Sequence, residues 1–351
     1  MFYRRGEPEN DGTITWSEDE QVAYDGTGTS DRYLYPCIAV DTNGYAWIGV
    51  YYDAGTIESP YVLKNANNDG TWTEDFAYQL NAADWGVSTR VCPVPLTDGK
   101  VYVVYCRSGA APLGNLWNGA AWVGEETDLA DYAIAGGYVF SAVALGDNVH
   151  FVYTKVSSYQ IRHNERVWDV GWGTDDVLVQ DAVTSSCGPA LSVDPSTGDL
   201  YCFWTQNDTD HVYYKQYTGG AWGGLVDWID ESTDDIYYDM QISSFYMDYG
   251  GYIGLLYTTK LASPYNVRFA FLTMPPQPFS TQTRLIGTVI APYSVQVRNI
   301  GTVIAPYSAL VRLIGTVIAS YSVQVRNIGI ICPRVVAKCH AELSALRRRI
   351  F

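Results

Sequence analysis

Residues 218–222 read TGGAW, a glycine-rich turn closed by a tryptophan. Related turns recur along the chain: NNDGTW ends at Trp72, NGAAW at Trp122 and DVGW at Trp172. Counted from Trp16, these tryptophans stand at gaps of 56, 50, 50 and 50 residues. A period of that size marks a repeat architecture in which each unit is one supersecondary element that cannot bury its apolar face alone.

A second signal runs in step with the first. Five apolar runs are each broken by a small turn: CIAVDTNGYAWIGVYY, CPVPLTDGKVYVVYC, SAVALGDNVHFVY, ALSVDPSTGDLYCFW and SSFYMDYGGYIGLLY. Each reads as a hairpin of two largely buried strands. Their closing aromatics are Tyr51, Tyr105, Tyr153, Trp204 and Tyr257. A third strand follows each hairpin (YVLK from 61, GNLW from 114, YQIR from 159, HVYYK from 211, YNVRFAF from 265), then the Gly–Trp turn and a more polar fourth strand such as WTEDFAYQL. Radial stacking of such four-stranded units buries both faces of the inner strands, and the expected fold is an all-β, five-bladed β-propeller. At the chain start, MFYRR reads as a third strand and ITWSEDEQVAY as a fourth, while the last unit stops after its third strand at Phe271. One third strand is therefore surplus to five blades, and the alternative is a six-bladed chain lacking its first hairpin. The expected closure pairs the strand of Trp16 with residues Tyr265–Phe271.

The turns NDGTITW at 10–16, NNDGTW at 67–72, NGAAW at 118–122 and TGGAW at 218–222 resemble degenerate Asp-box (BNR) turns, Ser-x-Asp-x-Gly-x-x-Trp. On these residues about 1–275 of the chain is similar to the sialidase-like propellers. That resemblance implies a propeller with a site at one mouth. In sialidases of the family, three Arg hold a carboxylate and a Tyr–Glu pair with an Asp acid performs hydrolysis. The closest match to the family's Arg-Ile-Pro stretch is DRYLYP, where Arg32 stands four residues before Pro36 rather than two. No catalytic residue is carried over.

The composition agrees with a packed β protein. Of 351 residues 47% are hydrophobic and only 17% charged, which excludes a disordered chain, and 29 Tyr and 11 Trp favour strands. Charge is divided. From residue 281 onward there are nine Lys and Arg against the single acid Glu342, leaving 13 basic and 37 acidic residues before it. An acidic body of about −24 repels phosphate and argues against nucleic acid as a partner. Seven cysteines (Cys37, Cys92, Cys106, Cys187, Cys202, Cys332, Cys339) form neither a disulfide framework nor a metal-ligand spacing. Cys37, Cys92 and Cys187 recur at the start of strand one and read as packing thiols rather than a metal ring. His150, His163, His211 and His340 have no ligand spacing. The acidic clusters at 18–20, 125–128 and 234–235 are calcium candidates without a calcium motif, so the reading is no cofactor. No run reaches membrane-span length, and Met1 is followed directly by FYRRGEPEND, which does not read as a signal peptide. The expected location is extracellular or on a virion surface.

The expected division is a propeller over 1–274, a Pro-rich linker over 275–283 carrying PPQP, 14-residue repeats over 284–330, and a basic irregular or helical end over 331–351. The repeats are IGTVIAPYSVQVRN, IGTVIAPYSALVRL and IGTVIASYSVQVRN, each reading as strand, Pro-Tyr-Ser turn, strand. A β-meander, a short solenoid and an intertwined fibre shaft all fit, and self-association through this tail is expected.

Loops before strand one and after strand two emerge on one propeller face. They carry Asp31, Arg32, Tyr33, Tyr35, Asp53, Asp84, Trp85, Arg90, Arg107, Tyr237, Tyr238 and Asp239. Aromatic rings beside Arg and carboxylates suit a polyhydroxylated ligand, since rings stack on sugar faces and charges fix hydroxyls. Trp16, Trp72, Trp122, Trp172 and Trp222 read instead as structural wedges between blades with satisfied N–H groups. The leading expectation is a non-catalytic glycan-binding or adhesion module; the alternatives are a sialidase-type hydrolase and a structural assembly protein attached through its tail.

Overall fold

The computed structural model describes residues 1–333 except 10–12, 17–18, 26–30, 56–57, 84, 87, 137–138, 207, 238–241, 261–265, 275–280, 284–286, 291–294, 306–308, 320–322 and 326–328. The chain divides into two compact units, Met1–Thr273 and Met274–Phe351.

The first unit opens with short strands β1 (Phe2–Tyr3), β2 (Gly6–Pro8), β3 (Ile14–Trp16) and β4 (Gln21–Val22). Five antiparallel sheets follow. The first holds β5 (Arg32–Val40), β6 (Ala46–Asp53), β7 (Glu58–Asn65) and β8 (Glu74–Gln79). The second holds β9 (Arg90–Pro95), β10 (Val101–Cys106), β11 (Leu113–Trp117) and β12 (Trp122–Glu126). In the third, β13 (Phe140–Leu145), β14 (Asn148–Thr154) and β15 (Ile161–Val167) are completed by a fourth strand in two pieces, β16 (Gly171–Trp172) and β17 (Val177–Gln180). The fourth repeats this with β18 (Ala190–Asp194), β19 (Asp199–Gln206), β20 (His211–Thr218), β21 (Ala221–Trp222) and β22 (Val226–Asp230). The fifth has three strands, β23 (Ile242–Ser244), β24 (Tyr252–Thr259) and β25 (Asn266–Thr273).

Apolar cores lie between the sheets. In β10 the alternation of a strand sends Val101, Val103 and Tyr105 into the core shared with the first sheet, and Tyr102, Val104 and Cys106 into the core shared with the third. All six are fully buried. At the other end of the sheets, the strand-one-to-two turns are tied in sequence: Gly99 N–H donates to Thr42 Oγ1 at 2.8 Å, and Thr97 N–H and Oγ1 donate to Asp147 Oδ1 at 2.8 and 2.6 Å. This succession of sheets is that of a β-propeller.

The Gly–Trp turns sit between the third and fourth strands. Glycine is required because the backbone turns through positive φ there: +103° at Gly70, +98° at Gly119, +105° at Gly171 and +88° at Gly220. The tryptophan then reaches back to the preceding sheet. Trp122 stacks on Tyr78 (4.6 Å) and meets Trp47 edge-on (6.3 Å); Trp172 packs on Tyr102 (5.7 Å); Trp222 on His163 (5.4 Å); Trp72 on Tyr3 of β1 (5.0 Å). Trp16 has no sheet before it and is 46% exposed. The indole N–H groups differ from expectation. That of Trp172 donates to Glu126 and Tyr102, whereas those of Trp72 and Trp222 are buried without a partner among the described residues.

The expected closure is not formed. The strand of Trp16 pairs with β2 (Gly6↔Trp16) and β4 with β1, so the chain start is a hairpin of its own. It packs on the first sheet through Tyr3, Trp72, Ile48 and Val50, with Gln21 Nε2 donating to Gly70 O at 3.1 Å. β25 pairs only with β24 among the described residues, and Tyr265 lies outside them. The reason is the surplus strand: a third and a fourth strand adjacent in sequence pair with each other before either can reach the last sheet. Both ends of the array consequently expose apolar side chains, Val267, Phe269 and Phe271 on β25 and Ile38 and Val40 on β5.

The second unit contains β26 (Thr281–Thr283), β27 (Gly287–Ile290), β28 (Val295–Ala305), β29 (Ala309–Ala319), β30 (Val323–Val325) and β31 (Gly329–Pro333). Every pairing is parallel at an offset of 14 residues, as in Gly287↔Gly301, Val295↔Ala309 and Gly315↔Gly329. Parallel pairing excludes a meander and stacks the repeats as a short solenoid. β28 and β29 are single eleven-residue strands where two strands per repeat were expected, and Thr281–Thr283, placed above in the linker, is a strand. PPQP, Cys339, His340 and the basic end from 334 lie outside the described residues.

The wedge geometry predicts a contrast. Trp122→Ala, which empties a site packed by Tyr78, Trp47 and Phe76, should lower the unfolding free energy by about 3–5 kcal/mol, while Trp16→Ala should change it by less than about 0.5 kcal/mol. Urea titrations of the two variants measure this directly.

Candidate functional site

Strand one begins and strand two ends at the same end of each sheet, as the cross-strand pairs Arg32↔Asp53 and Arg90↔Cys106 show. Two groups of predicted residues are placed there, and a third group joins them.

In the first group the Arg32 guanidinium pairs with Asp53, whose other oxygen accepts the Gly55 N–H at 2.8 Å. Asp53 is 1% exposed, so its charge is buried and matched by Arg32. Tyr33 stacks on Tyr52 (4.9 Å) and meets Tyr24 at a tilt (4.6 Å), and Tyr52 meets Tyr61 edge-on (5.2 Å). Burial raises the Tyr33 and Tyr52 hydroxyls above the usual phenol range, and the Asp31 charge beside them adds to it.

The second group spans the first two sheets. The register of β5 shifts between Leu34 and Cys37, and the bulged residue Tyr35 has φ +57°. A bulky side chain in the left-handed region is costly, and a bulge re-aims it. Tyr35 is directed toward the second sheet, where the Arg90 guanidinium carbon lies 3.3 Å from its ring centre, yet 44% of the residue stays exposed. Arg107 lies over Trp85 at 5.3 Å. Trp85 is 6% exposed and packs on Tyr105, so it is part of a core rather than an open platform. Tyr237 stands apart on the fifth sheet, its N–H donating to Thr258 O and Lys260 5.8 Å from its ring. Asp84, Tyr238, Asp239 and Glu18 lie outside the described residues.

A third group was not anticipated. Tyr132 in the loop before β13 lies under Lys155 (3.4 Å) and Arg162 (5.5 Å); Tyr159, between those two cations in sequence, is 39% exposed and at φ +47°. The signal was in the sequence: Lys155 stands two residues after Tyr153, as Arg107 does after Tyr105.

The carboxylates near this end are engaged. Tyr51 donates to Glu58, Tyr105 to Glu125 at 2.6 Å, Tyr153 to Asp176 and Tyr257 to Glu231 at 2.5 Å. Four copies of a tyrosine–carboxylate pair at the closing aromatic of four sheets are a repeated lock, not a single nucleophile pair. Among the described residues no group of three or more His, Cys, Asp or Glu is placed to hold a metal ion.

A crevice of about 250 Å³ lies between the third and fourth sheets, lined by His163, Glu165, Trp172, Gly173 and Tyr217. Beneath it His150 Nδ1 and His163 Nε2 are 3.2 Å apart. Burial, with His150 adjacent, lowers His163 to about 3.

No family model matches the chain, and no curated protein does. Solved structures do. A mutant of AofleA from Arthrobotrys oligospora is similar with a TM-score of 0.50 at 13% identity, covering 77% of this chain and 76% of that one. Aleuria aurantia lectin, described as a six-bladed β-propeller with a fucose recognition mode, gives 0.49 at 16% identity over 79% and 89%. An ulvan lyase bound to a GlcA–Rha3S unit gives 0.48 at 10% identity over 69% and 71%. At these identities the likeness is one of fold.

Because the histidine pair is held neutral, acid acts on the unfolded chain. Above about pH 6.5 neither state binds the protons; below it the unfolded histidines take them up and folded His163 does not until about pH 3. Stability should therefore be flat from pH 8 to about 6.5 and fall toward pH 5, with up to about 1.4 kcal/mol per pH unit from His163 alone. Denaturant midpoints across that range, compared with His163→Gln, should show a shallower slope in the variant.

Proposed function

We propose that the chain is a non-catalytic carbohydrate-binding propeller, with its docking surface at the loop end of the first three sheets and a preference for uncharged sugars. Tyr35 carries this reading. It is held in a costly backbone conformation at a bulge, backed by Arg90 on one side and open to solvent on the other. Strain of that kind persists where surroundings over-determine it, and it collects at ligand-contacting positions. A flat phenol ring backed by a guanidinium offers a pyranose a stacking face and hydrogen-bond donors together. Tyr132 under Lys155 and Arg162 repeats the arrangement on the third sheet.

Uncharged sugars are favoured because Arg32 is already neutralised by Asp53 and Arg90 and Arg107 lie over rings, so three guanidiniums do not form an open carboxylate clamp. Binding is favoured over hydrolysis because the tyrosine–carboxylate pair recurs at Glu58, Glu125, Asp176 and Glu231 as a repeated tie instead of standing once at a single site. Display at a cell or virion surface belongs to the same reading. So does self-association through the tail, whose end strands β30 and β31 each have one unpaired edge among the described residues.

A glycan array with neutral and sialylated members, followed by titration of the hits, tests the proposal. Neutral glycans should bind the unaltered protein. Tyr35→Ala combined with Arg90→Ala should weaken them at least about tenfold, the loss of one stacking contact and its cation. Preferential capture of sialosides would move the reading to the hydrolase, and capture of no glycan would replace it with the assembly role.

A further inference from the structure

We propose that the crevice between the third and fourth sheets is a binding site for a primary alkylammonium group. It opens beside the Gly171 turn, at the opposite end of the sheets from Tyr35 and Tyr132, so it is independent of the surface proposed for sugars. Its frame is fixed. Asn164, 4% exposed, donates from Nδ2 to Leu129 O and to Gly173 O, both at 3.2 Å, and its Oδ1 accepts the Glu165 N–H at 2.9 Å. The Gly173 N–H donates to Glu165 O at 2.9 Å. A Cβ on Gly173 would lie 2.7 Å from Asn164 Oδ1, so glycine lets the turn close on β15.

The crevice holds an unmet acceptor. His163 lines it and is 2% exposed. Glu165 Oε1 lies 3.9 Å from His150 Nε2, and a carboxylate there holds the proton of the neutral His150 ring on that nitrogen. His150 Nδ1 is then the acceptor in the 3.2 Å contact between the rings, and His163 donates to it from Nε2. Burial keeps both rings uncharged. His163 Nδ1 is left with a lone pair, on the ring edge turned away from His150, buried and without a partner among the described residues. A buried acceptor in that state costs free energy until a donor reaches it.

The rest of the lining selects the donor. Glu165 and Asp175 bring two carboxylates to the crevice, and neither Lys nor Arg lines it. Among the described residues neither carboxylate is paired with a Lys or Arg. Arg166 is spent on Glu126, and Lys215, two residues before Tyr217 on β20, donates to Val179 O at 2.6 Å. The rings of Trp172 and Tyr217 attract a cation, and Val167, Val170 and Val177 offer apolar walls to an alkyl chain. A neutral hydroxyl would leave both carboxylates unmatched, and a quaternary ammonium has no N–H for His163 Nδ1. A primary ammonium supplies one positive charge and three N–H donors, and charge-assisted bonds to carboxylates are the strong ones. A volume of about 250 Å³ admits that group with a short alkyl chain.

The test titrates the isotope-labelled full chain with butylammonium and follows the amide resonances of Gly171 and Gly173 by NMR. Saturable shifts at both glycines are expected, with a Kd on the order of 1 mM for so small a ligand. Butyltrimethylammonium, which has the charge and no N–H, and butanol, which has a donor and no charge, should each bind at least about tenfold more weakly. Glu165→Gln should weaken butylammonium by a similar factor, and so should Asp175→Asn, whose exposed side chain leaves the fold intact. Nα-acetyl-lysine methylamide separates the sources of the group. Binding equal to that of butylammonium assigns the crevice to a lysine side chain of a partner, weaker binding assigns it to a free amine, and both outcomes support the ammonium site. Butanol binding as well as butylammonium, shifts confined to other residues, no saturation, or unchanged affinity in Asp175→Asn and Glu165→Gln would each overturn the assignment.

Discussion

The inner strands carry apolar side chains on both faces, so every sheet shares its cores with its neighbours. Tyr102 and Tyr105, three residues apart on one strand, lie in two different cores. A sheet lifted out of the array would expose both faces at once, and the free energy of burial belongs to the interfaces. This requirement explains the exposed residues at each end. Phe269 and Phe271 have the same alternation as residues buried elsewhere and lack only a following sheet.

Burying tyrosines at such density creates a second demand, because each hydroxyl needs a partner. The fold answers it within the sheet. Tyr102 lies across strand three to reach Glu126 on strand four, and it can do so because Gly114 stands in between: a Cβ there would lie 2.1 Å from the Tyr102 hydroxyl oxygen. Glu126 also takes three hydrogen bonds from Arg166 and one from Trp172, both on the next sheet. Those bonds outweigh burial and keep its carboxyl below the usual glutamate range. The polar network and the apolar cores therefore hold the same sheets together.

Much of this was legible in the sequence because the repeat writes each constraint several times. The hairpins, the third strands and the turn glycines follow from spacing alone. What was not legible depends on contacts between distant segments. The chain start resembled a spare third and fourth strand, but nothing in its residues states that they pair with each other rather than with β25. Asp53 looked like a ligand contact and is a buried counter-ion; Trp85 looked like an open platform and is core, since position in a loop does not report burial. Tyr132 was passed over because its loop varies in length, while the cation that covers it, Lys155, stood at a repeated offset.

The reach of each tryptophan has a direction. Trp72, Trp122, Trp172 and Trp222 come late in their own units and pack on the sheet that precedes them in the chain. A ribosome making this protein delivers the hairpin of a unit first and its wedge some twenty residues later, by which time the surface that receives the wedge has already emerged. Each unit thus seals itself onto finished structure, and growth from the amino end never has to wait for a segment not yet made. The same polarity suits duplication at the carboxyl side, because an added unit brings its own fastening.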